Sequence, residues 1–104
     1  MKLKLGEKTY HTKELMFGDL YKANEFIKYI NDGGSQGKDP LAEFDKMAEY
    51  LVDLFAGQFT VDDVYKKLPN KGCMLKIVEL ANEVQTESIG QLEIKNVPAV
   101  TEEI

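Results

Sequence analysis

The sequence contains no arginine, a single histidine and a single cysteine. Each shortage excludes something. Cys73 alone can form no internal disulfide and no multi-cysteine metal site, and cysteine this sparse fits a reducing compartment. With His11 the only imidazole, any Ser–His or Cys–His nucleophilic pair would have to be built on that one residue, and it sits between Tyr10 and Thr12 in a strand-like stretch where a pairing role suffices. No His-Glu-x-x-His pair and no calcium loop is present; Asp62/Asp63, Glu43/Asp45 and Glu102/Glu103 lack the required ligand spacing. No apolar run approaches the ~20 residues of a membrane span, and the Met-Lys-Leu-Lys start lacks the apolar segment of a secretory signal. The expectation is a soluble cytoplasmic protein that is not an enzyme, with no cofactor and no metal.

Charge is present but unevenly spread. Thirteen lysines face 18 acidic residues, for a net charge of −5. Residues 1–13 carry +3, residues 14–86 carry −5 and residues 87–104 carry −3. An acidic chain without arginine is poorly equipped for nucleic acid, where neutralising phosphates supplies most of the affinity. A protein partner fits better.

A length of 104 residues makes one domain, large enough for a single core without staples. The expected fold is α+β and mostly α: a β-hairpin, about four helices, and a flexible C-terminal tail. Residues 1–87 form the globular domain in this reading, and residues 88–104 an acidic tail. Lys-Leu-Lys-Leu at residues 2–5 alternates as a half-buried strand does, and Gly6-Glu7 suits a type II′ turn into a second strand from Lys8 to about Phe17. Leu20, Ala23, Ile27 and Ile30 then share one helical face up to about Asn31. The Gly33-Gly34-Ser35-Gln36-Gly37 loop has neither the preceding strand nor the Lys-Ser/Thr of a phosphate-binding loop and reads as a linker.

Asp39-Pro40 is a good helix start, and Leu41, Phe44, Ala48, Leu51, Val52 and Phe55 give the strongest helical stripe in the chain. Met47, Tyr50 and Leu54 form a second apolar edge on this helix, which would bury it on two sides at the centre of the core, any exposed remnant of that edge being a docking surface instead. With Phe59, they are the candidate partner-binding residues. The stretch from Asp53 to Tyr65 joins this helix to a short one. Gly57 suits the left-handed residue beyond a helix end, Thr60 is an N-cap with Asp63 at N3, and Phe59 and Val64 are placed as a hydrophobic staple. A last helix from about Gly72 to Glu87 carries Met74, Ile77, Val78, Ala81 and Val84 on one face; Gln91 to Val97 could then extend as a strand. The two final helices also imitate a helix-turn-helix, so a small DNA-binding or regulatory module is the alternative function. Its recognition helix would offer only Lys71 and Lys76, with Glu79 and Glu83 close behind.

Asp53-Leu-Phe-Ala-Gly-Gln-Phe-Thr-Val-Asp-Asp-Val-Tyr65 resembles the F-G-x-Q-F-T-x-D-D-L signature of tail assembly chaperones from long-tailed bacteriophages and prophages of Gram-positive bacteria. The opening Met1 to Tyr10 resembles that family's hairpin, and Phe17-Gly-Asp-Leu its first helix entry, so the likeness runs over roughly residues 1–87. Ala56 stands where Gly is commoner. The resemblance implies a non-enzymatic chaperone that binds the long helical tape measure protein and keeps it soluble until the tail tube forms around it. It also implies contact with the tail tube protein through a longer C-terminal form, action in the host cytoplasm, and absence from the mature virion. Several copies, as a homo-oligomer or side by side on one target, would add avidity.

Overall fold

The computed structural model describes residues 1–34 and 36–96. Within them the chain forms an antiparallel hairpin followed by four helices, as expected. Strand β1 (Lys2–Leu5) pairs with β2 (Lys8–His11), with Leu5 opposite Lys8 across the Gly6-Glu7 turn. Gly6 has a φ of +64° while Glu7 stays out of the left-handed region, the sign pattern of a type II′ turn. Leu3 and Leu5 are buried, and Lys2 and Lys4 face outward. The second strand stops at His11, well short of Phe17. Its partner strand has only four residues, and beyond the bond from Thr12 N–H to the Met1 carbonyl no ladder remains to extend.

Helix α1 (Phe17–Asn31) opens with the Asp19 carboxylate accepting from Met16 N–H at 2.7 Å. It closes with Gly33 and Gly34 N–H groups returning to the Ile30 and Tyr29 carbonyls at 3.0 and 2.9 Å, a Schellman ending. Helix α2 (Pro40–Leu54) is capped by Asp39, whose side chain accepts from Ala42 N–H at 3.1 Å, with Pro40 at the first helical position. A short α3 (Val61–Lys67) and a 24-residue α4 (Cys73–Asn96) complete the order.

Helix α4 runs past Glu87 and through Gln91–Asn96, where an extended segment was expected. Gln91, Leu92, Glu93 and Lys95 are adequate helix formers, and lengthening an existing helix requires no new nucleus. Gly90 costs only about 1 kcal/mol against alanine there. Val97 and the rest of the expected tail, to Ile104, lie outside the described residues.

The core draws on the inner face of β1 and on all four helices. Leu5, Leu51, Phe55 and Leu80 are its largest fully buried side chains. Each contributes roughly 1.5–3 kcal/mol by leaving water. Helix α1 packs along α4, and Ala23 and Ala81, one on each, retain no exposed surface. Phe26 of α1 stacks on Tyr50 of α2 at 4.6 Å between ring centres, tying the central helix to the same pair.

Candidate partner-binding site

The corner between α2 and α3 is built from local bonds. Gly57 N–H reaches back to the Val52 carbonyl at 2.9 Å and Ala56 N–H to that of Asp53 at 3.0 Å, again a Schellman pair. The first left-handed residue after the helix is therefore Ala56, with a φ of +54°, and Gly57 follows at +73°. The reading of Gly57 as left-handed is met, one residue further from the helix than expected. Thr60 Oγ1 accepts from Asp63 N–H at 3.1 Å, and Asp63 Oδ2 accepts from Thr60 N–H at 3.0 Å. This reciprocal cap, chiefly through the bond from the Thr60 backbone, holds the Asp63 carboxyl below its ordinary pKa of 3.8. Phe59 and Val64, the staple residues, are both buried.

The same corner clamps the hairpin. Gln58 Nε2 donates to the His11 carbonyl at 2.6 Å, Gly6 N–H donates to the Lys67 carbonyl at 3.0 Å, and the Phe59 ring meets Tyr10 edge-on at 5.0 Å. His11 thus takes part through its backbone, and its side chain is exposed. The Gln-Phe-Thr triplet at residues 58–60 has three separate duties within one turn.

The four candidate contact residues are all in the core: Met47, Tyr50, Leu54 and Phe59 are 7, 8, 5 and 4% exposed. The second edge of α2 is turned inward. Tyr50 lies flat on Phe26 with its hydroxyl buried and unpaired among the described residues, and burial, with a smaller contribution from Asp19, pushes its pKa up to about 12. Tyr50 borders a cleft between α1 and α2 with Phe26 and Tyr29, and Met47 floors a different, more apolar groove.

That groove, of about 380 Å³, lies between α2, α3 and the start of α4. Phe44, Tyr65 and Met74 stand around it, 45, 50 and 52% exposed, over Met47, Val64 and Ile77. Leu41, one turn before Phe44 on α2, is also exposed. The Tyr65 hydroxyl donates to Asp45 Oδ1 across the gap from α3 to α2, and this bond raises its pKa to about 12. It fixes one wall of the groove. Helical periodicity places Leu41, Phe44 and Met74 on the same faces as buried core residues, yet all three are exposed. Their helices run past the edge of the core, so the same stripe that is buried at Leu51 is bare at Leu41. A second exposed apolar group, Met16, Phe17 and Tyr21, gathers at the entry to α1.

Among the described residues no cluster could hold a metal ion, and no helix is long and apolar enough to cross a membrane. An open apolar groove, flanked by exposed aromatic and methionine side chains, is the candidate contact surface. The chain belongs to the phage tail chaperone family, whose model matches residues 1–96. No curated protein and no solved structure matches it.

Proposed function

We propose that this tail chaperone binds the tape measure protein in the groove formed by Phe44, Met47, Tyr65 and Met74, and keeps that protein soluble until the tail tube forms around it. The observation that carries the reading is the exposure of large apolar side chains from three different helices around one opening. Such surface is costly to leave in water unless a partner covers it. A groove between helices suits the apolar stripe of another helix, with anchors three and four residues apart. Methionine adds adaptability, which suits a chaperone that meets many turns of a long repetitive target. The interaction is non-enzymatic and takes place in the bacterial host's cytoplasm before the virion is complete, from which the chaperone is then absent. A longer form would reach the tail tube protein through its C-terminal extension. Met47 would make contact as the groove floor, whereas Tyr50, Leu54 and Phe59 lie in the core outside that groove.

The test is co-expression with fragments of a tape measure protein. A soluble, co-purifying complex is expected, and Phe44→Asp with Met74→Asp should return the fragment to the insoluble fraction. If the fragment stays insoluble with the unaltered chain, the reading fails.

A further inference from the structure

A second groove, of about 510 Å³, runs between β1 and the start of α4, and its character is different. Lys2, Lys4, Lys71 and Lys76 line it over Leu68 and Leu75, with Glu79 the one acid on its lining. None of these four lysines is in an ion pair among the described residues. By contrast, Lys22, Lys28, Lys66 and Lys67 each have a carboxylate within 3.7 Å or less. The chain as a whole is acidic, at −5. Four unpaired ammonium groups from two distant segments therefore form a local field opposite in sign to the rest of the molecule.

The backbone beside this groove is also unspent. Leu3 pairs with Tyr10 and Leu5 with Lys8, and Thr12 N–H donates to the Met1 carbonyl. In an antiparallel ladder with that register, residues 1, 3 and 5 direct their N–H and C=O groups at β2, and Lys2 and Lys4 direct theirs to the free edge. Gly6, next in the second series, confirms the direction: its N–H leaves the hairpin and donates to the Lys67 carbonyl of α3. The edge of β1 is thus closed at Gly6 and open at Lys4 and Lys2, along the wall of the lysine-lined groove.

We propose that this edge is the docking site for an extended acidic segment of a partner protein, which adds as a third strand beside β1. Its backbone would pair with Lys2 and Lys4. Its carboxylates would lie among the four ammonium groups, and its alternate apolar side chains would rest on Leu68 and Leu75. Edge lysines alone serve to discourage strand pairing. That role accounts for Lys2 and Lys4 but not for Lys71 and Lys76, which come from another element and face the same groove. Nucleic acid is a poorer occupant: the groove has no arginine and no aromatic platform, and the net charge of the chain repels phosphate. The site adjoins the apolar groove, sharing Leu68 and Cys73 with it, but does not depend on the identity of the partner there.

The experiment uses the full chain and a labelled decapeptide of alternating Glu and Val. The expected result is binding at low salt that weakens about tenfold in the Lys2→Glu/Lys4→Glu/Lys71→Glu/Lys76→Glu variant, and similarly between ~50 and ~200 mM salt. The Lys2 and Lys4 amides should gain protection from hydrogen exchange. The same peptide N-methylated at alternate amides should bind at least about tenfold more weakly, a comparison made on the unaltered chain and so independent of how the variant folds. No binding at low salt, equal binding of a Lys–Val decapeptide, or undiminished binding of the N-methylated peptide would overturn the proposal. Tighter binding of a ten-nucleotide oligo-dT than of the Glu–Val peptide would assign the groove to nucleic acid and overturn it too.

Discussion

Gln58 Nε2 and the carbonyl oxygen of His11 meet at 2.6 Å across a separation of 47 residues. One side chain in the α2–α3 corner therefore decides where the end of the hairpin rests. With the Gly6–Lys67 backbone bond and the Tyr10–Phe59 ring contact, it makes the hairpin part of the helical body. Replacing it should loosen that attachment without unfolding the helices. Gln58→Ala is expected to cost about 1 kcal/mol. Hydrogen exchange should speed up in β2 while α4 amides stay protected.

The left-handed Ala56 yields a second expectation. An L-residue with a side chain at such a φ is strained by roughly 1–2 kcal/mol, and glycine is not, although it has more entropy to lose on folding. Ala56→Gly should raise stability by about 0.5–1 kcal/mol, and Gly57→Ala should lower it by a similar amount. Denaturant titration of both variants checks the pair. A loss of stability in Ala56→Gly would contradict the left-handed assignment.

The cap at Thr60 should show itself in acid. The Asp63 carboxyl is held below its ordinary value of 3.8 by the Thr60 bonds. Its contribution is therefore fully present above that value and is lost as pH falls through the lower folded-state pKa. Asp63→Asn should flatten this part of the acid limb, and Thr60→Ala should cost about 1 kcal/mol at neutral pH.

Tyr50 makes the opposite prediction in alkali. Its buried hydroxyl has no partner among the described residues, and its pKa is pushed up to about 12 from 10.0. The neutral phenol is favoured in the folded state, so stability present below pH 10 should fall as pH rises through the interval from 10 to 12. Tyr50→Phe removes that loss. At neutral pH it should be neutral, or stabilising by about 1 kcal/mol, because no hydrogen bond is given up.

The features legible in the sequence were those fixed by near neighbours. The turn at Gly6, the Asp39-Pro40 start, and the Thr60–Asp63 cap each depend on residues within four positions, and each formed as read. The hairpin-then-helices order followed from periodicity. What periodicity could not supply was how far each helix outruns the core. It placed Leu41, Phe44 and Met74 inward with Leu51 and Ile77, because all lie on the same faces, yet the three are exposed. It left the second edge of Met47, Tyr50 and Leu54 open between core and partner surface, and all three are buried, Tyr50 against Phe26 of α1 and Met47 beneath the groove between α2, α3 and α4. Ala56 was noted as a departure from the family string, but only the backbone angle shows that it occupies the glycine position. The lysine-lined groove brings residues 2–4 beside residues 71–76, a juxtaposition that depends wholly on tertiary packing.

Whether the exposed groove of Phe44, Tyr65 and Met74 holds the tape measure protein can be read from the recovery of a soluble complex. The amount of soluble tape measure fragment recovered in complex should be compared between the unaltered chain and Phe44→Asp/Met74→Asp, with circular dichroism confirming that the variant is folded. A soluble complex is expected with the unaltered chain, and a loss of at least about tenfold with the variant, since a few central anchors dominate such interfaces. A folded variant that recovers as much soluble fragment as the unaltered chain would contradict binding in the groove.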